Sequence, residues 1–386
     1  MRKLSYSHQS IEQDDVDSVL EVLTSDFLTQ GPKVKEFEEA LAAYCGSKFA
    51  VVFSSGTAAL HAAYFAAGLA DHDQIVTSPI TFLATANAAL FLGAKPVFID
   101  IERDTGNINP SLIENAITDK TKAIVPIHFA GHPVELKTIN DIAQKHRLLV
   151  IEDACHALGA TYEGTTIGHC RYSDMTVFSF HPVKSITAGE GGAVVSNNEQ
   201  FYNKLVMFRH HGITKNKNGF KNSINGVGDW YYEMQSLGYN YRLTDLHCAL
   251  GISQLRKLDR FIRKRREITE TFGRAFEDNA FFDVPVERSY AKSAWHLYAI
   301  RLKDKFKAQK REIFTRMRTK GLGVQVHYIP VHLQPYYQEH GYQKTLCPNA
   351  EDFYEREISL PLYPSMTEQD VEYVVRNTLG VFEEIE

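Results

Sequence analysis

From residue 49 onward, short apolar runs alternate with helix-like stretches, and this alternation restricts the possible folds more than any other feature of the chain. Residues 49–53, 74–77, 96–99, 123–127 and 148–151 are brief runs rich in apolar and β-branched side chains, and 175–180 and 192–196 continue the series. Between them lie segments with helical character, such as 58–68 and 81–92. Strands that are apolar along their whole length are covered on both faces, and regular strand–helix alternation implies parallel neighbours. The sequence therefore predicts an α/β fold with a mainly parallel seven-stranded sheet between helices. In such sheets ligands gather beyond the carboxyl ends of the strands.

The flanking regions are read the same way. Residues 11–24 form an amphipathic helix, Leu28-Thr29-Gln30-Gly31-Pro32 ends it, and 34–44 form a second helix. Residues 215–236 are polar and look like a surface excursion, and 244–276 read as one long connecting helix. Beyond it come a strand at 297–302, a helix near 306–319, a strand at 323–328 and closing helices. With 386 residues, 44% of them hydrophobic, the chain exceeds one ordinary core. A large unit of residues 1–250 and a smaller α/β unit of 251–386 are expected.

Composition narrows the partners. A net charge of −5 with 23% charged residues speaks against nucleic acid and bulk membrane binding. Arg256, Lys257, Asp259, Arg260, Arg263, Lys264, Arg265 and Arg266 read as a solvated helix face. The five cysteines form no CxxC pair, which argues against a disulfide framework or zinc site and for a reducing cytoplasm. His128 and His132 have metal-like spacing, but Gly131 and Pro133 argue against a helix there, and no metal is expected. No apolar run follows the first residues, so no signal peptide is expected, and no stretch approaches the roughly 18 apolar residues of a membrane span.

Several residues at strand ends carry chemistry. Asp153 follows the apolar run 148–151 and can serve either as a helix cap or as a buried carboxylate facing a ring nitrogen. Lys184 lies past the next strand, between Ser179-Phe180-His181-Pro182 and Gly189-Glu190-Gly191-Gly192; the alternative is a surface loop lysine. Ser55-Gly56-Thr57 sits at a strand-to-helix turn, where free amides and hydroxyls favour an anion as readily as they cap a helix. Phe82 or His156 could stack on a flat ring, or simply pack in a core. A lysine, a carboxylate, an anion cradle and a stacking group are what pyridoxal 5′-phosphate requires of a transaminase.

Taken together, these segments resemble the DegT/DnrJ/EryC1/StrS sugar-nucleotide aminotransferases, within the fold-type I class of pyridoxal-phosphate enzymes. The resemblance is carried by Leu28 to Pro32, Ser55 to Leu60, Glu152 to Ala160, Phe178 to Lys184, Gly189 to Gly192, and Gly238-Tyr239-Asn240-Tyr241-Arg242-Leu243-Thr244-Asp245. It implies that Lys184 binds the cofactor and Asp153 partners its pyridinium, that Ser55, Gly56, Thr57 and Ser179 hold its phosphate, and that Phe82 and His156 lie near its ring. Asn240 would reach the cofactor of a neighbouring subunit, making a homodimer with shared active sites. Ser78 to Asn87, Trp230 to Glu233 and Gln325 to Tyr328 are similar to the branch that acts in pseudaminic acid synthesis. That branch aminates C4 of UDP-2-acetamido-2,6-dideoxy-β-L-arabino-4-hexulose, a UDP-linked 4-keto sugar, with L-glutamate as donor. The resemblance then implies that Tyr6, Asp26, Phe27, Leu28, Thr29, Ser55, Gln325, Val326, His327 and Tyr328 line the sugar-nucleotide site. Two other readings stay open: amination of a different nucleotide 4-keto sugar, such as the UDP-bacillosamine precursor, a UDP-pentose or a dTDP-hexose, and a non-catalytic cofactor-binding regulator.

Overall fold

The structure is a computed structural model that describes residues 3–222 and 228–386. Part of the expected excursion, residues 223–227, lies outside the described residues; the rest of it carries a short 3-10 turn at Lys217–Gly219 and a two-residue pairing of Ile213–Thr214 with Glu233–Met234.

The main sheet has seven strands: β1 (Phe49–Phe53), β2 (Gln74–Thr77), β3 (Lys95–Phe98), β4 (Thr121–Val125), β5 (Leu149–Asp153), β6 (Met175–Ser179) and β7 (Gly192–Ser196), in the order β1-β7-β6-β5-β4-β2-β3. Strand β7 runs antiparallel to both its neighbours and the remaining pairs are parallel, so the mainly parallel sheet expected from the sequence is present. Side chains alternate between two buried faces. Val52, Val76, Ile124, Val150 and Phe178 join one core, while Val51, Ile75, Val125, Ile151 and Val177 join the other. This is why the strands read as continuous apolar runs. Two antiparallel steps, β1 to β7 and β7 to β6, leave β1 running in the same direction as β6 and β5. Their carboxyl ends therefore share one edge of the sheet.

Beyond the sheet, a smaller antiparallel one joins β8 (Phe282–Asp283), β9 (Tyr298–Leu302) and β10 (Glu357–Leu360). It packs with Phe272, Phe276, Ile313, Val374 and Phe382 into a third core. Here the structure departs from expectation in three places. Residues 323–328 form no strand: Gly323 N–H donates to Leu4 O at 2.7 Å, and only isolated bridges, Leu4 with Leu322 and Gln325 with Ser359, form. The amino-terminal arm takes the Gly323 amide, Gln325 pairs only with Ser359, and β10, unforeseen, takes the place in the sheet. The long connector is two helices, Asp245–Leu255 and Leu258–Phe276. Lys257 at the break reaches back to Asp14 and Asp15, both at 2.7 Å.

The third departure is in the basic run read as a solvated face, where Lys257 is 8% exposed and Arg265 only 1%. Its guanidinium donates to the carbonyls of Leu362 at 2.9 Å, Trp295 at 3.2 Å and His296 at 3.3 Å, and no carboxylate pairs with it among the described residues. Burial lowers its pKa to about 10, so it stays charged at neutral pH. Arg265→Ala strands three carbonyls and opens a void, and is expected to cost about 3–5 kcal/mol. Urea denaturation checks this; a change below about 0.5 kcal/mol, the scale of surface substitutions, contradicts it.

Candidate active site

A cavity of about 680 Å³ opens at the shared carboxyl edge of β1, β5 and β6, with His296, His327 and Tyr328 closing it from the carboxy-terminal half. Each wall follows from local chain chemistry. After β1, Ser55 caps the helix Gly56–Ala66, its Oγ accepting from Ala58 N–H at 3.1 Å. The helix thus begins two residues earlier than the sequence predicts, and its first amides face the cavity edge. A Cβ on Gly56 would stand 3.0 Å from the Cβ and 3.1 Å from the Oγ of Ser179, the last residue of β6. Glycine keeps that cradle open, and the helix amino terminus and two hydroxyls suit a phosphate.

Asp153 ends β5 and is 5% exposed. Its Oδ2 accepts from Thr85 Oγ1 at 2.6 Å, and its Oδ1 from the amide of Cys155 at 3.1 Å. Thr85 is held in turn by Thr81, hydroxyl to hydroxyl at 2.8 Å. Lys184 is half-buried in the same cavity, its backbone N–H donating to His181 O at 2.9 Å. Burial lowers the pKa of its amine, an effect offset in part by Cys155 and Asp153. A depressed lysine is a better base and nucleophile near neutral pH.

Three imidazoles surround this pair. His156 Nε2 is 3.1 Å from Tyr328 Oη, and its ring lies 4.3 Å from that of His296. Burial, with Lys184 close by, holds His156 well below the ordinary histidine range; His296 is lowered likewise, and His327 falls to about 3. All three are neutral at pH 7. The Nδ1 atoms of His156 and His296 are buried without a hydrogen-bond partner among the described residues. Such atoms carry a cost that a bound polar group would relieve.

The structure brings Tyr6, Ser55, Gly56, Thr57, Phe82, Asp153, His156, Ser179, Lys184, His327 and Tyr328 to the cavity wall. Phe82 is 59% exposed at its rim. Asp26, Phe27, Leu28, Thr29, Gln325, Val326 and Asn240 are not in that wall. Residues 26–29 lie exposed, with Leu28 O accepting from Asp245 N–H at 3.1 Å, and Asn240 is exposed in a bridge with His210. Thr81, Thr85, Cys155 and His296 line the cavity without having been anticipated. The four-residue spacing of Thr81 and Thr85 was the available signal for the first two; His296 carried none. His128 and His132 are engaged elsewhere: His128 Nε2 on Glu152 at 2.7 Å, and His132 Nε2 accepting from Arg288 N–H at 3.0 Å.

Known proteins match nearly the whole chain. A family model described as the DegT/DnrJ/EryC1/StrS aminotransferase family matches residues 9–378. The UDP-4-amino-4,6-dideoxy-N-acetyl-beta-L-altrosamine transaminase of Campylobacter jejuni is 43% identical, covering 99% of this chain and 98% of that one. Among solved structures, Helicobacter pylori PseC, an aminotransferase involved in the biosynthesis of pseudoaminic acid, superposes with a TM-score of 0.92 at 38% identity, covering 99% of this chain and 100% of that one. Spr1654 of Streptococcus pneumoniae, solved in its PLP-form, superposes with a TM-score of 0.92 at 28% identity, covering all of both chains.

Proposed function

The chain belongs to the DegT/DnrJ/EryC1/StrS aminotransferase family, and from that membership we propose that it moves the amino group of L-glutamate to C4 of UDP-2-acetamido-2,6-dideoxy-β-L-arabino-4-hexulose. The product is UDP-4-amino-4,6-dideoxy-N-acetyl-β-L-altrosamine, an intermediate of pseudaminic acid synthesis. The observation that carries the reading is Lys184 and Asp153 in one cavity beside an anion cradle at Gly56 and Ser179. Near-full-length similarity to transaminases bearing that product's name supports the choice of sugar.

The residues present fit pyridoxal 5′-phosphate. Ser55, Gly56, Thr57 and Ser179 would hold its phosphate, Asp153 its ring nitrogen, and Lys184 its carbonyl carbon, with His156 and Phe82 toward the ring. When bound, the cofactor supplies a carbon that exchanges amines and a ring that takes up electrons. Asp153, braced by Thr85, would set its carboxyl group where a ring N–H needs a partner. Lys184 moves the proton at the substrate carbon, first from glutamate and then to C4 of the sugar, and its lowered pKa suits both directions. The neutral imidazoles add no positive charge against its protonated form.

Tyr6, residues 26–29 and residues 325–328 would contact the sugar nucleotide. We place Asn240 in the site of a second subunit, as a homodimer requires. Exposed Leu20, Leu23, Phe27 and Leu28, and Leu237 beside Asn240, supply apolar surface for such a contact. We assign residues 1–250 to the large unit and 251–386 to the smaller; the connecting helices pack across that boundary, with Ile252 and Leu258 in the first core and Ile268 and Phe272 in the third. The compartment is the cytoplasm.

Loaded with pyridoxal phosphate, the enzyme is expected to absorb in the near-visible. Adding L-glutamate alone is expected to bleach that band and release 2-oxoglutarate. An unchanged spectrum contradicts the transaminase reading and favours a cofactor-binding regulator.

A further inference from the structure

Behind His327 the cavity wall continues into a buried polar chain. Glu357 and Ser359 stand two residues apart on β10, hence on one face, and both are 0% exposed. Ser359 Oγ donates to Glu357 Oε1 at 2.5 Å. Glu357 Oε2 accepts the backbone N–H of His327 at 2.7 Å. The Nδ1 of His327 lies 2.8 Å from Ser359 Oγ. Its ring lines the cavity, 5.4 Å from the ring of Tyr6 and 4.9 Å from that of Tyr328. Among the described residues, Nε2 of His327 has no hydrogen-bond partner.

The order of donors is forced by counting protons. A serine hydroxyl has one proton. While Ser359 gives it to an ionised Glu357, Ser359 can only accept from His327, so the imidazole proton sits on Nδ1 and Nε2 is an acceptor. If Glu357 gains a proton, Oε1 must carry it, because Oε2 is accepting from the His327 amide. Glu357 then donates to Ser359, Ser359 donates to Nδ1, and the imidazole proton must sit on Nε2.

We propose that Glu357, Ser359 and His327 form a proton relay that sets whether His327 Nε2 accepts or donates a hydrogen bond toward the bound sugar nucleotide. The ligand's identity rests on the function proposed above; the relay does not. The exchange balances: one proton arrives at Nε2, the Nδ1 proton passes to Ser359 Oγ, and the Ser359 proton passes to Glu357, whose charge is neutralised. No other bond changes. The acceptor form suits a sugar hydroxyl or amide N–H, and the donor form a carbonyl. Glu357 and Ser359 are positioning residues, acting through His327.

The groups around the chain allow this within the working range of pH. Glu357 faces Lys310, from the helix Lys310–Thr319, as well as Ser359 and the His327 amide. Burial raises it to about 7, against the pull of Ser359, Lys310 and that amide. His327 faces Lys184, Tyr6, Tyr328, His156 and His296. Burial and Lys184 hold the ring neutral, so its tautomer changes rather than its charge. Below the pKa of Glu357, Nε2 donates; above it, Nε2 accepts.

The test is nitrogen-15 NMR of histidine-labelled holoenzyme from about pH 6 to about pH 8.5, with His327→Gln used to assign the signals. The wild type is expected to move from the Nε2–H to the Nδ1–H tautomer as pH rises. In Glu357→Gln the amide carbonyl must accept from the His327 N–H, so its NH₂ donates to Ser359 and the Nε2–H form is expected at every pH. In steady state, the KM for the keto sugar is expected to shift about tenfold across this range in the wild type, and to lose that dependence in Glu357→Gln. One tautomer throughout in the wild type, or an unaltered tautomer switch in Glu357→Gln, overturns the relay. A tautomer switch without any pH effect on the keto-sugar KM supports the relay and counts against that sugar as ligand.

Discussion

Lys184→Ala is expected to lose turnover by at least ~10⁴-fold, the upper end of what one proton-transferring group contributes. Among the described residues no other amine lines the cavity, so none of them can replace it. The near-visible absorbance of the loaded enzyme should vanish with it. The fold should survive, because Lys184 is tied into its turn by a backbone N–H to His181 O that alanine retains. Lys184→Arg should do no better, since a guanidinium does not give up its proton near neutral pH. Circular dichroism and a melting curve like the wild type's, beside absent activity, meet the expectation. Transamination at the wild-type rate would remove Lys184 from the chemistry.

Asp153→Asn is expected to cost about 10²–10⁴-fold in kcat, as loss of a well-placed charged partner does. The change is nearly isosteric, and one of the two bonds to Thr85 Oγ1 and Cys155 N–H can persist on the amide oxygen. The other donor then faces an NH₂ group, a stability cost of about 1–3 kcal/mol. A stability loss of that size cannot account for the loss of rate at temperatures where the variant is folded. Kinetics on folded protein, with cofactor saturating, separate the two; a kcat within a few-fold of wild type means that Asp153 acts only as a cap.

Much of this is legible in the sequence. The seven apolar runs marked the strands because each is buried on both faces, and the positions of Asp153, Ser179 and Gly56 at strand ends followed from that frame. The side chains that support them were not legible. Thr85 meets Asp153 only through the packing of the helix Ala84–Leu90 against the helix Gly56–Ala66 and β3, a contact 68 residues apart in sequence. His296 and Tyr328 come from another region and arrive through the packing of the smaller sheet. Residues 323–328 have strand-like composition, yet their amides divide among Leu4, from the far end of the chain, Ser359 and the Glu357 side chain, so no continuous ladder forms. Arg265 and Lys257 sit in a basic run whose Arg256, Arg260 and Arg263 are exposed, and only position around the helices separates the two kinds. Local pattern carries periodicity and caps; it does not carry which distant segment docks where.

The same limit applies to the sugar. Discrimination between epimers at C5 depends on the geometry of the contacts around the sugar, which sequence motifs do not carry. The most direct test compares kcat/KM for the L-arabino and D-xylo UDP-linked 4-keto sugars, side by side, with L-glutamate as donor. A preference for the L-arabino substrate of roughly 10²-fold is expected, the scale on which one misplaced substituent is rejected. Equal or reversed preference would contradict the assignment.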